Sequence, residues 1–92
     1  MIVALECSFV IFEGQSLKAK RSIVRPMIDK IRARYNVSIA EIDHQDLWQR
    51  ATFLLVAASA SRQAAEKEVR RASRVLESSH EWELIEEELF YY

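Results

Sequence analysis

Between Ile2 and Phe12 the chain alternates, with Val3, Leu5, Cys7, Phe9 and Ile11 on one side and Glu6 and Ser8 among the residues on the other. A period of two predicts a first strand with one strongly apolar face. Gly14 breaks the run, and after it the spacing lengthens: Leu17, Val24, Met27, Ile28, Ile31 and Tyr35 recur at three and four residues. This predicts a helix capped by Ser16. Pro26 cannot donate to the carbonyl of Ser22 and its ring crowds that group. A turn over Leu17 to Ser22 with a restarted helix would relieve the clash, but the apolar pattern survives on both sides of Pro26, so one bent helix is expected.

Asn36 to Asp43, with β-branched Val37, Ile39 and Ile42, predicts a second strand whose two faces are poorly distinguished. Ala51 to Ala60, "ATFLLVAASA", carries no charge and is apolar on both sides, the mark of a central strand covered on both faces. His44 to Arg50 connects the two. Ser61 can cap a second helix running to about Ser79, with Ala65, Val69, Ala72 and Leu76 buried, Arg70, Arg71 and Arg74 outward, and Glu66 set to pair with Arg70 one turn on. Glu83 to Tyr91 predicts a fourth strand, whose "EEE" suits a sheet edge because charge discourages stray pairing.

The order β-α-β-β-α-β predicts an α+β, ferredoxin-like domain: one four-stranded antiparallel sheet, first and third strands central, two helices on one face through right-handed crossovers. The opposite face is then open. An uncharged third strand should not face water there, so a second subunit packed sheet against sheet is expected.

At 92 residues the chain is one domain, 1–92, of a size that buries roughly 60–65% of its unfolded surface. Half its residues are hydrophobic, 29% are charged, and Gly and Pro occur once each, which is the composition of an ordinary folded domain. No apolar run approaches the ~18 residues of a membrane helix, and the opening "MIVALECSFVIFEG" lacks a basic leader and a small-residue cleavage site. A cytoplasmic protein with no membrane contact is expected. The single cysteine, Cys7, cannot close an internal disulfide and reads as a small core side chain. A net charge of -1 hides an uneven distribution. Lys18 to Arg34 holds seven basic residues against Asp29 alone, and Glu77 to Glu88 holds six acids without a Lys or Arg.

Two stretches, "SLKAKRSIVRP" (Ser16 to Pro26) and "YNVSIAEIDHQDLWQRA" (Tyr35 to Ala51), resemble the YlxP-like family, the domain of unknown function numbered 503. The likeness covers essentially the whole chain, including the "MIV" opening and the uncharged strand after the second motif. The resemblance implies a ferredoxin-like fold, a bacterial cytoplasmic setting, and gene neighbourhood with translation initiation factor two and the ribosome-binding factor that matures the small subunit. It implies no established activity and no catalytic residues.

Two groups of residues bear on function. On a helix Lys18, Arg21, Arg25 and Arg32 fall within a sector of about 80 degrees, opposite much of the apolar face, with Asp29 among them. Arg70, Arg71 and Arg74 can extend this positive area across the helical layer. Phosphate contacts need only such distributed positive charge, whereas a solvated helix face needs no partner at all. The interleaved aromatics of an RNA-recognition sheet are missing, so RNA or the small ribosomal subunit would be met through helices. The second group is Asp43, His44, Asp46, Trp48, Gln49 and Arg50. A general base could be assembled from His44 oriented by a carboxylate. No third ligand completes a metal set, and His80 reads as a solvated residue after the second helix. The mechanical alternative takes precedence: Asp43 or Asp46 accepts backbone N–H bonds, Leu47 and Trp48 pack down, and Gln49 and Arg50 bond a neighbouring strand or subunit. The only glycine, Gly14, makes no phosphate loop. The sequence therefore predicts a non-enzymatic binding module without cofactor or metal, RNA- or ribosome-associated through its basic helices. The alternative is a homodimeric adaptor or regulator of a protein or small ligand, with Asp43 to Arg50 at the interface.

Overall fold

The computed structural model describes residues 1–12, 16–44, 47 and 49–92. Six elements follow in the order β1 (Ile2–Ile11), α1 (Leu17–Arg34), β2 (Ser38–Asp43), β3 (Arg50–Ala58), α2 (Arg62–Glu77) and β4 (Trp82–Tyr91). The strands form one sheet in the order β2-β3-β1-β4, and every neighbouring pair is antiparallel. This is the ferredoxin-like α+β arrangement. α1 runs unbroken through Pro26, with the Ser16 hydroxyl accepting from the Ala19 N–H at 3.0 Å. Ser61 caps α2 in the same way through Ala64 at 3.1 Å.

The odd residues of β1 and β3 meet the helices. Phe9, Phe53, Leu5, Leu55 and Val3 are fully buried there, against Val24 and Ile31 of α1 and Ala65, Val69, Ala72 and Leu76 of α2. Trp82 joins Phe9 (ring centroids 4.9 Å apart) and Phe53 (5.8 Å), and its indole N–H donates to the carbonyl of Leu76. The first residue of β4 is thereby fastened to α2 by this hydrogen bond and to β1 and β3 by aromatic contacts worth about 0.5–1.5 kcal/mol each beyond their buried area.

The even residues form the open face. Ser8 and Thr52 are buried there and share a hydroxyl hydrogen bond of 2.8 Å across β1 and β3. The face divides by chemistry. Ile2, Ala4, Leu54 and Val56 make an apolar half, in which Leu54 and Val56 are half-buried. Toward β4, Glu6 stands directly opposite Glu88, and Ser8 opposite Glu86. Like charges directly opposite one another repel, so this half is held by solvation or by a cation brought from elsewhere. On the even side of β3, Thr52 is buried and Leu54 and Val56 are half-buried within the single chain. Two bulges, at Ser8/Phe9 against β4 and at Glu41/Asp43 on β2, interrupt the edge pairings. Each adds an unpaired residue, and Ile85 and Ile42 at these positions are exposed.

Candidate nucleic-acid interface

The outer face of α1 follows from its inner one. Leu17, Val24, Ile28 and Ile31 turn toward the sheet, which leaves Lys18, Arg21, Arg25 and Arg32 exposed. Among the described residues Lys18, Arg21 and Arg25 enter no ion pair. Arg21 and Arg25 form a ridge between two shallow hollows. The outer one, about 580 Å³, is completed by Lys18, Ser22 and Pro26. The inner one, about 400 Å³, lies toward β2 and has Val24, Ile28 and Ala40 in its lining. Arg32 borders the inner hollow and is held in place: its guanidinium donates to the Ile39 carbonyl of edge strand β2 at 3.1 Å.

The residues predicted on α2 separate. Arg71 and Arg74 are exposed beside Gln63 and Lys67, around a hollow of about 390 Å³. Arg70 is neutralised within the molecule, its Nε 2.9 Å from Glu66 and a terminal nitrogen 3.5 Å from Glu87 of β4. It belongs to a fastening between α2 and β4 in which the Tyr91 hydroxyl donates to Glu66 at 2.7 Å and Arg62 lies over the Tyr91 ring at 5.2 Å. The hydrogen bonds from Tyr91 and Arg70 hold the Glu66 carboxyl below its usual range, and the same bond raises the Tyr91 phenol. The positive area across the helical layer is therefore narrower than the sequence predicts, because one of its arginines serves the fold.

The corner between β2 and β3 is organised by a residue the sequence reading passed over. Lys20 is only 2% exposed. Its ammonium pairs with Glu41 of β2 and donates to the carbonyls of His44 (2.8 Å) and Leu47 (3.0 Å). Lys20 lies three residues after Leu17 and four before Val24, on the apolar stripe itself. A lysine at that place has to meet an acid or several carbonyls, and that was the available signal. His44 takes a left-handed backbone, φ 61°, which costs a non-glycine residue about 1 kcal/mol or more. The turn is closed by the Leu47 N–H bonding the His44 carbonyl at 3.0 Å and by Asp43 Oδ1 accepting from the His44 N–H at 2.8 Å. The His44 ring is 3.8 Å from Asp43 Oδ2.

Leu47 departs from expectation: its side chain is 45% exposed, and it contributes its backbone rather than packing. Gln49 accepts through its carbonyl from the Ile11 N–H at 2.7 Å, and Arg50 pairs with Val10 in the sheet. The Arg50 Nε is buried with no hydrogen-bond partner among the described residues. Asp46 and Trp48 lie outside the described residues. Among the described residues no group of three or more His, Cys, Asp or Glu side chains could hold a metal, and no helix is long and apolar enough to cross a membrane. His80 is exposed. Cys7 is buried, and desolvation, reinforced by Glu87, Glu77 and Glu6, pushes its thiol up to about 12, so it is no ready nucleophile.

Comparison with known proteins agrees with the two motifs. Over 83 residues, 90% of each chain, the sequence is 40% identical to the "Uncharacterized protein YlxP" of Bacillus subtilis (strain 168). The profile of a family described as "Protein of unknown function (DUF503)" matches residues 2–89. The chain therefore belongs to the DUF503 family, which is described as of unknown function.

Proposed function

We propose that this domain is a non-enzymatic module that binds RNA, the small ribosomal subunit being the first target to test, through the outward face of α1. One observation carries the reading. Lys18, Arg21 and Arg25 are exposed on one helical sector and make no ion pair among the described residues. By contrast, Lys20 is paired with Glu41 and Arg70 with Glu66 and Glu87. Three unneutralised cations on a rigid helix suit phosphate oxygens, which require charge and position rather than a shaped pocket. Three phosphate contacts predict that affinity falls about 20- to 40-fold between 50 and 200 mM salt, from slopes of about 0.7–0.9 per contact.

The test is co-sedimentation of the purified protein with small ribosomal subunits at those two salt concentrations. Retention at low salt, its loss at high salt, and its loss in Lys18→Glu/Arg21→Glu/Arg25→Glu with unchanged melting support the reading. Retention by the triple variant would defeat it.

A second reading, a homodimeric adaptor joined through the open sheet face, is favoured by the apolar half formed by Ile2, Ala4, Leu54 and Val56. The two readings use opposite sides of the sheet and are compatible. At the His44 corner the backbone N–H and carbonyl close the turn, and the ring lies 3.8 Å from Asp43 Oδ2.

A further inference from the structure

Resting on the RNA reading, we infer that the inner hollow between α1 and β2 seats a further backbone phosphate on Arg32, so that the strand crosses the α1–β2 seam and leaves α2 aside. Arg32 stands seven residues beyond Arg25, nearly two helical turns, and so on the same side of α1. It is exposed and lines the inner hollow of about 400 Å³ together with Arg21 and Arg25. None of these three arginines enters an ion pair among the described residues. Two carboxylates also line the hollow, but Glu41 pairs with Lys20, and only Asp29 enters no ion pair among the described residues. Three arginines against one such acid leave the hollow positive.

Arg32 differs from the two ridge arginines in being held. A guanidinium carries five N–H donors, and one terminal nitrogen of Arg32 meets the Ile39 carbonyl of β2 at 3.1 Å. A carbonyl satisfies a donor without cancelling the charge. The contact therefore orders the side chain and leaves a cation whose remaining donors suit phosphate oxygens. An arginine ordered in advance loses less freedom on binding than a free one. The other flank of the helical layer lacks this arrangement. Arg70 is tied to Glu66 and Glu87, and among the described residues the hollow beside Arg71 and Arg74 is lined by α2 alone. A strand held by Arg21 and Arg25 thus meets its next cation at Arg32, toward β2.

Binding isotherms with small ribosomal subunits, taken by co-sedimentation at several salt concentrations from 50 to 200 mM, test this. The slope of log affinity against log salt counts the phosphates neutralised, at about 0.7–0.9 for each. With Arg32 as a fourth contact the fall over this range becomes about 50- to 150-fold. Arg32→Gln is expected to lower the slope by one contact, about 0.7–0.9, and to weaken binding several-fold at 50 mM salt. Asp29→Asn, which leaves the bond from Arg32 to Ile39 in place, is expected to tighten binding by removing the unpaired negative charge of the hollow. Inorganic phosphate at millimolar concentration and constant ionic strength is expected to displace nothing; displacement would assign the hollow to the free anion and overturn the backbone seat. Retained binding with an unchanged slope in Arg32→Gln makes Arg32 a strut for β2 alone, and overturns the seat while the RNA reading stands. An unchanged affinity in Asp29→Asn counts the same way. A slope lowered by Arg71→Gln/Arg74→Gln and not by Arg32→Gln would place the strand along α2 and overturn the seam. No binding by the wild type at 50 mM salt overturns both readings.

Discussion

Lys20 gives the sharpest stability prediction. Its side chain is 3% exposed, that of its partner Glu41 19%, and the ammonium also satisfies the carbonyls of His44 and Leu47. Lys20→Met keeps the length and the apolar stem on the α1 stripe, so it opens little space and removes chiefly the charge. The partly buried carboxylate of Glu41 then loses this ammonium, and two turn carbonyls lose a charged donor. Breaking a buried pair by deleting one partner costs about 3–5 kcal/mol. Because Glu41 retains some contact with water, the lower end applies, about 3 kcal/mol. At about 4–8 °C per kcal/mol for a domain of this size, the melting temperature should fall by about 12–24 °C. Thermal and urea unfolding followed by circular dichroism measure it. Glu41→Leu and the double variant complete a cycle: with the carboxylate removed as well, the double variant should be more stable than Lys20→Met, with a coupling of about 1–3 kcal/mol. A shift below about 4 °C, or strict additivity in the cycle, would refute the argument that this lysine holds the corner.

Further outcomes follow from other parts of the fold. Cys7, with its thiol raised to about 12 by burial, should resist iodoacetamide at pH 8 in the native protein and react only at the rate of unfolding; prompt labelling would show that β1 is not sealed. The Glu66 carboxyl is held below its ordinary value of 4.5, so the stability it contributes is present above that pH and lost as pH falls through the lowered value. The Tyr91 phenol is raised above 10.0, so its contribution is complete below that pH and lost as pH rises through the raised value. Tyr91→Phe should flatten the alkaline limb of the stability profile, and an unchanged profile counts against the Tyr91–Glu66 bond. Phe53→Ala, at a fully buried position, should cost about 3–5 kcal/mol in urea unfolding. If a second copy covers the apolar half of the open face, light scattering at micromolar concentration should report a dimer that Leu54→Glu returns to monomer, whereas a wild-type monomer removes the adaptor reading.

The fold was legible because each element announced itself in its own period: two along Val3 to Ile11, three and four along Leu17 to Tyr35, and an uncharged run at Ala51 to Ala60. Both serine caps were legible for the same local reason, and Pro26 did not divide α1 because the apolar stripe on both sides holds the helix against the sheet. The surface was harder. The pair of Arg70 with Glu66 follows from their spacing on α2, whereas the second contact of Arg70, with Glu87 of β4 seventeen residues away, depends on the tertiary fold. Lys20 was counted among the basic residues and not weighed as an intruder on an apolar stripe. Its role depends on Glu41, which sequence places in an ambiguous strand and the fold places beside the helix.

The central position of β1 has a consequence for synthesis on the ribosome. The first strand to emerge is flanked by β3 and by β4, the last, so its second edge stays unsatisfied until residues 82–91 have left the exit tunnel. A growing chain thus carries the apolar row Val3, Leu5, Cys7, Phe9 with one edge open for most of its translation, and an open edge of this kind invites intermolecular pairing. Stalled or truncated products ending before Trp82 should accumulate as insoluble material.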